Sequence, residues 1–152
     1  MGGGVCMPTL DKTITQLNLL LMSCHDARLS YRRLAGRAST SEQQRLFNER
    51  EQQCSALIDC LHTQILTYGG RPAQHLSLLG ALRHGWRSFI VLLLPELGRT
   101  RIRTALHNEQ RIRHGVEQVF AEQLSPRFRQ QLLEHRSLSV DFESRVRAKL
   151  ET

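Results

Sequence analysis

The residues with the chemistry to hold a metal ion are a few carboxylates and histidines inside long helical stretches. Glu109 interrupts an apolar row, Glu49 lies on the flank of another, and His135 belongs to a third. Residues three apart share a helix face, so Glu-x-x-His is an effective metal-binding pair. Glu49 is instead followed three residues later by Gln52. Glu49, Glu109 and His135 are therefore candidate metal ligands without a complete motif.

Other reactive residue types form no recognisable site. The seven histidines have no tight metal-ligand spacing, and there is no phosphate loop, nucleophile elbow or HExxH motif. Cys6, Cys24, Cys54 and Cys60 show no paired ligand spacing either. If the first two helices fold back around Ser39, Cys24 and Cys54 lie at similar heights. A disulfide or thiol switch there is one alternative, and buried free thiols in a reducing compartment are the other.

The charge is strongly basic, at +7, and only Lys12 and Lys149 of the 21 basic residues are lysines. This raises the prospect of an anionic partner. Arg99, Arg103, Arg111 and Arg113 are the candidates for an anion patch, which would make the protein an arginine-mediated nucleic-acid binder. The alternative is a solvated helix face, because no basic tail or aromatic-interleaved patch accompanies them.

Four long amphipathic segments would position these groups. The spacing predicts helices over about 9–37, 41–68, 96–123 and 126–150, with inward rows at alternating steps of three and four. The first two rows are Ile14, Leu17, Leu21, Cys24, Arg28, Tyr31, Ala35, and then Phe47, Cys54, Leu57, Ile58, Leu61, Ile65. The last two are Ile102, Ala105, Glu109, Ile112, Val116, Val119, and then Phe128, Leu132, His135, Leu138, Phe142, Val146.

The stretch from Tyr68 to about residue 95 joins the two halves. Gly69 and Gly70 can adopt the left-handed backbone conformation that often ends an α-helix, and Pro72 prevents the helix from continuing. The connection is much longer than a helix hairpin needs, and ferritin-like bundles carry one such crossover between their second and third helices. We predict an all-α, ferritin-like four-helix bundle with a helical crossover at about 69–95. Residues 1–8 are expected to form a disordered leader, and residues 9–152 a single domain.

The run from Phe89 to Leu94 is apolar all round a helix, so one bundle face cannot cover it. We predict a homodimer interface formed by Trp86, Phe89, Ile90 and Leu93. The alternative is a crossover sandwiched between its own helices. The run is too short to span a membrane, and the N-terminus lacks the layout of a signal peptide. A cytoplasmic protein is expected.

Gly69-Gly70-x-Pro72, followed by Ser77-Leu78-x-Gly80-Ala81-Leu82-x-x-Gly85-Trp86, resembles the crossover of an uncharacterised bacterial family. That family is a domain of unknown function, usually described as ferritin-like four-helix-bundle proteins, with some members linked to stress responses. The similarity extends through Cys24-x-Asp26, Tyr31, Glu49-Arg50 and Glu109. The resemblance implies a ferritin-like fold and no known reaction.

A di-iron bundle would need a glutamate on each of two helices and Glu-x-x-His on the other two. Here Arg28 stands near the first carboxylate position, and Ser139 and Phe142 stand where the last pair would be. The site looks degenerate, so we predict no cofactor. Instead we hypothesise that Arg28 pairs with Glu49, with Glu109 or with both in the core, since a buried charge is tolerable only when paired. The alternative is that Arg28 snorkels to solvent.

No reaction or small-molecule substrate can be assigned from the sequence. The expected function is that of a non-catalytic, stress-associated bundle that acts through self- or partner association. The alternatives are a metal-binding bundle using Glu49 and Glu109, and an arginine-mediated nucleic-acid binder.

Overall fold

The computed structural model describes residues 7–73 and 98–150, which form four helices. Helix α1 spans Met7–Gly36, α2 Ser41–Thr67, α3 Gly98–Phe120 and α4 Pro126–Leu150. No strand occurs in these two ranges. The predicted all-α fold with four helices is confirmed. Because α1 begins at Met7, the last two residues assigned to a disordered leader are helical instead.

Local sequence signals set the helix ends. Thr40 caps α2, because its side-chain oxygen accepts a hydrogen bond from the backbone N–H of Gln43 at 3.1 Å. The Ser125 hydroxyl oxygen accepts from the backbone N–H of Phe128 at 3.2 Å and starts α4 in the same way. At the end of α2, Gly69 has a φ of 82°. The Gly70 N–H then donates to Ile65 O at 2.9 Å, as in a Schellman motif.

The helices form a square in which α1 packs against α2 and α3, and α4 packs against the same two helices. Contacts such as Thr13 with Glu122 and Tyr31 with Ala105 show that α1 and α3 are antiparallel. Since α1 and α2 are also antiparallel across their short turn, α2 and α3 run in the same direction on one diagonal. Helix α2 therefore ends at the end of the bundle where α3 also ends. The connecting residues 74–97 lie outside the described part of the chain.

The core follows most of the predicted rows, and two departures from them affect the centre of the bundle. Arg28 is only half-buried, and Ala27 is buried beside it at 1% exposure. This is because α1 contacts two neighbours and buries a broad strip that also includes Leu20. On α4, Leu138 is 38% exposed and Ser139 is buried in its place. The hydroxyl is tolerated there because it has a charged partner, as described below.

Two further expectations relate to surfaces. The predicted dimer-interface residues Trp86, Phe89, Ile90 and Leu93 lie outside the described residues. None of the helices in the described ranges combines the length and the apolarity needed to cross a bilayer.

Candidate functional site

Glu109 lies in the middle of α3 and its residue surface is entirely buried. Ala105 and Ile112, one turn away on each side, are buried apolar residues of the same row. A carboxylate in such surroundings loses its hydration, so it must be protonated, bound to a cation or paired with donors. The groups around Glu109 therefore define what the centre of this bundle can do.

Arg50 of α2 supplies the opposite charge. Its Nε lies 2.6 Å from Oε1 of Glu109, and its Nη2 lies 2.9 Å from Oε2. The side chains are 2% and 0% exposed, so both charges are removed from water. This is the bidentate arrangement in which a guanidinium matches a carboxylate best. Because α2 and α3 lie on a diagonal of the square, the pair spans the centre of the bundle.

The other two helices complete the hydrogen bonding of the carboxylate. The Ser139 hydroxyl of α4 donates to Oε2 of Glu109 at 2.8 Å. The Tyr31 hydroxyl of α1 lies 3.2 Å from both Oε1 of Glu109 and the carbonyl oxygen of Ala105, and shares its proton between them. Each carboxylate oxygen thus receives two donors. All four helices meet at this one group, which we call the central cluster: Tyr31, Arg50, Glu109 and Ser139.

Aromatic rings close one side of the central cluster. The Arg50 guanidinium carbon lies 5.6 Å from the ring centroid of Phe142, within the range of a cation–π contact. The Phe142 ring meets Tyr31 edge-on at 5.2 Å, and Phe47 stacks near Tyr31 at 6.3 Å. The remaining Arg50 donor, Nη1, donates to Oε1 of Gln53 at 3.0 Å. The guanidinium is held by packing as well as by charge.

The electrostatic environment favours one protonation state for two members of the central cluster, Arg50 and Tyr31. Burial alone lowers the pKa of Arg50, but the Glu109 carboxylate outweighs burial and raises that pKa above its ordinary value. Burial raises the pKa of the Tyr31 hydroxyl, and the nearby Glu109 charge raises it further. Arg50 therefore stays charged, and Tyr31 stays a neutral donor, which is what the carboxylate requires.

Two buried thiols lie next to the central cluster. Cys24 of α1 and Cys54 of α2 are 0% and 1% exposed. Burial raises the pKa of Cys54 to about 12, and it also raises the pKa of Cys24 well above its ordinary value. Since the thiolate is the reactive form, burial and the raised pKa values both disfavour reaction of these thiols in the folded state. Both are free in this structure, as is the half-buried Cys60.

The metal-ligand candidates do not come together. Glu49 is on the surface, with its side chain 47% exposed and 3.5 Å from Arg145. His135 is half-buried, and burial lowers its pKa. The described residues contain no group of three or more side chains placed to hold a metal ion. A cation at Glu109 would also have to displace the Arg50 guanidinium. The donor set therefore does not fit a di-iron centre.

The hypothesised partner of Glu109 was wrong. Arg28 does not reach the carboxylate, and its Nε is buried without a hydrogen-bond acceptor among the described residues. Arg50 takes the place expected for Arg28, and Glu49 faces solvent beside it in sequence. The physical reason is the direction in which each residue of α2 points around the helix axis. Arg50 lies three residues after Phe47 and four before Cys54, both buried, whereas Glu49 points away from that row.

Two of the four arginines of the candidate anion patch have carboxylate partners within the chain. Arg111 pairs with Asp26 at 3.4 Å, and Arg113 pairs with Glu143. Arg103 is exposed, and the side chain of Arg99 lies outside the described residues. Two of the four positive charges are thus already matched by carboxylates.

Sequence reasoning missed Arg50 and Ser139. For Arg50 a signal exists, since it fills the gap in the three–four spacing between Phe47 and Cys54. Ser139 follows Leu138, and an apolar residue is the natural choice for an inward position. Nothing in the sequence indicates that the hydroxyl would turn towards a buried carboxylate.

Comparison with known proteins identifies a family but no activity. A family model described as "Domain of unknown function (DUF2383)" matches residues 12–122. The match covers well over half of the chain, so the protein belongs to this family. It includes Tyr31, Arg50 and Glu109 and ends before α4. No curated protein and no solved structure matches the chain.

Proposed function

We propose that this protein is a non-catalytic bundle of the ferritin-like kind, in which a permanent ion pair takes the place of a metal centre. The observation that carries the proposal is the full set of donors on Glu109. Its two oxygens accept two bonds from Arg50 and one each from Tyr31 and Ser139. A carboxylate so occupied has no oxygen free to bind a metal ion or to accept a proton from a substrate.

The directions of the helices support the ferritin-like part of the proposal. Helices α2 and α3 are parallel, so the end of α2 and the start of α3 lie at opposite ends of the bundle. A helix of the length of α3 extends about 34 Å at 1.5 Å per residue. One long connection between the second and third helices is the arrangement of ferritin-like bundles. A bacterial, cytoplasmic and stress-associated role belongs to the same proposal.

Association with copies of itself or with a partner is then the proposed mode of action. The central cluster fixes the relative positions of all four helices, which suits a rigid body that presents surfaces. Buried polar pairs of this type define register more reliably than they add stability.

Metal analysis before and after aerobic loading with ferrous iron tests the proposal. We expect no stoichiometric iron in the wild-type protein, and no difference between it and Glu49→Ala. Two equivalents per chain that are lost in Glu49→Ala and Glu109→Ala would overturn the proposal and make the protein an iron carrier or oxidase. The same samples should be checked for folding by circular dichroism, because Glu109→Ala leaves Arg50 unpaired.

A further inference from the structure

The outer face of α4 carries a second, short pattern of regularly spaced residues that do not contribute to the core of the bundle. The inward face is formed by buried side chains such as Phe128, Leu132, Phe142 and Val146. On the opposite face, Leu133 and Val140 are 41% and 55% exposed. One shallow depression on this face is lined by six α4 residues, Leu133, Arg136, Ser137, Val140, Asp141 and Ser144.

These six residues follow a heptad. Leu133, Ser137, Val140 and Ser144 are spaced four, three and four apart, as at the d, a, d and a positions of a coiled coil. Arg136 precedes Ser137 at a g position, and Asp141 follows Val140 at an e position. We call these six residues the α4 seam. The serines at its a positions are small enough to let another helix approach closely.

The charges on the two sides of the α4 seam are opposite. In two parallel helices related by a two-fold axis, the g position of one helix faces the e position five residues later on the other. Arg136 would therefore meet Asp141 of a second copy, twice by symmetry. Within the chain, Arg136 pairs with Glu117 at 3.0 Å and Asp141 with Arg145 at 3.7 Å, all of them substantially exposed. Such exposed pairs exchange partners at little cost.

Residues 71–73, which follow the end of α2, lie away from this face. The backbone N–H of Ala73 donates to Oδ1 of Asn18 at 2.8 Å, and Asn18 Nδ2 donates to Arg71 O at 3.1 Å. Asn18 is on α1, the helix diagonally opposite α4. In the first turn of α3, Arg101 donates to the Ser39 hydroxyl in the α1–α2 turn at 3.4 Å.

We propose that the α4 seam is the contact between two copies of this chain, packed in parallel about a two-fold axis. The proposal rests on the association proposed above and names the partner. A contact of two heptads is smaller than the roughly 800 Å² per partner of a standard stable interface. Dimer and monomer are therefore expected to exchange, with the dimer fraction rising with protein concentration.

Sedimentation velocity over a concentration series tests the proposal. The wild-type mass is expected to rise from one chain towards two, and Val140→Glu and Leu133→Glu are expected to stay at one chain. Leu66→Glu on α2 and Leu19→Glu on α1 are matched controls, because those leucines are 56% and 52% exposed on other faces. The controls should dimerise like wild type. A wild-type monomer at every concentration, or equal loss in seam and control variants, would overturn the proposal.

Two further measurements keep the test decisive. In a parallel two-fold pair each d residue faces its own copy, so Val140→Cys should cross-link as a disulfide dimer under mild oxidation. This is best done with Cys6 and Cys60 replaced by serine. Arg136→Glu should weaken the dimer, and adding Asp141→Arg should restore it. The protein could instead be a monomer whose melting temperature is lowered by Val140→Glu and not by Leu66→Glu. Such a result would show that another part of the chain itself covers the α4 seam. That result would also overturn the proposal.

Discussion

Replacing Arg50 by methionine should be among the most destabilising single substitutions in this chain. Methionine keeps most of the side-chain length but removes the two N–H groups that contact Glu109 at 2.6 and 2.9 Å. The carboxylate would then be buried with only Tyr31 and Ser139 as donors. In the wild-type protein its side chain is 0% exposed, so it has no contact with bulk water.

The magnitude follows from two independent considerations. A hydrogen bond to a charged group contributes about 1.5–3 kcal/mol, and Arg50 makes two to Glu109. Removing one partner of a buried pair costs about 3–5 kcal/mol in other proteins. We therefore expect Arg50→Met to lower the free energy of unfolding by about 3–5 kcal/mol. Because a whole domain is stable by only about 5–15 kcal/mol, partial unfolding at room temperature is a realistic outcome.

The appropriate assay is urea unfolding monitored by circular dichroism on a double-mutant cycle. Arg50→Met, Glu109→Gln and the double variant are compared with wild type, and the coupling energy is taken from the four values. The double variant should be more stable than Arg50→Met, since the uncompensated charge is gone. Arg145→Met is the matched control. Its exposed partner Glu49 predicts a change of at most about 1 kcal/mol.

The reasoning would be refuted if Arg50→Met and Arg145→Met changed the unfolding midpoint equally. It would also be refuted by a coupling energy near zero between Arg50 and Glu109. Either outcome would mean that Glu109 has another source of compensation, such as a proton or an ion.

Four further outcomes follow from the same structure. Ser139→Ala should cost about 1.5–3 kcal/mol in urea unfolding, because it removes a bond to the buried carboxylate, whereas the exposed Ser137→Ala should be nearly neutral. With Cys6 and Cys60 replaced by serine, Cys24 and Cys54 should react with a thiol reagent only as fast as the protein unfolds, since both thiols are buried and burial raises their pKa values; fast native-state labelling would contradict their burial. The raised pKa values of Cys24, Cys54 and Tyr31 mean that the folded state keeps protons that the unfolded state loses. Stability should therefore fall from about pH 9 to 12, by up to about 1.4 kcal/mol per pH unit for each group, and Cys24→Ala with Cys54→Ala should flatten the decline. Duplex DNA should bind only weakly, because Asp26 and Glu143 place negative charges beside Arg111 and Arg113; strong binding with a steep salt dependence would support the nucleic-acid alternative.

The helices were predictable because their signals are local. The apolar rows, the Ser125-Pro126 start and the Gly69 stop each specify structure over a few residues. The three–four periodicity also placed Glu109 in the core, where it is 0% exposed. These features depend on helix geometry, which the sequence determines directly.

The partners of Glu109 were not predictable in the same way. To choose between Arg28 and Arg50, one must know how far α1 and α2 are rotated about their own axes, to within a fraction of a turn. An apolar row defines that rotation only broadly, because a helix with two neighbours buries a wide strip. Arg28 therefore lies at the edge of the core, and Arg50 in its centre. The role of Ser139 depends on α4 lying close to α3 at that height, which is a tertiary property.

The most direct measurement of the central claim is the exchange of arginine Nε–H protons with water, observed by ¹⁵N NMR. The Arg50 Nε–H is buried and bonded to Glu109, so one signal should persist at neutral pH. It should disappear in Arg50→Lys and shift in Glu109→Gln, and Arg28→Lys should leave it unchanged. If no such signal exists, or if Arg28→Lys removes it, then Arg50 and Glu109 are not paired at the centre of this bundle.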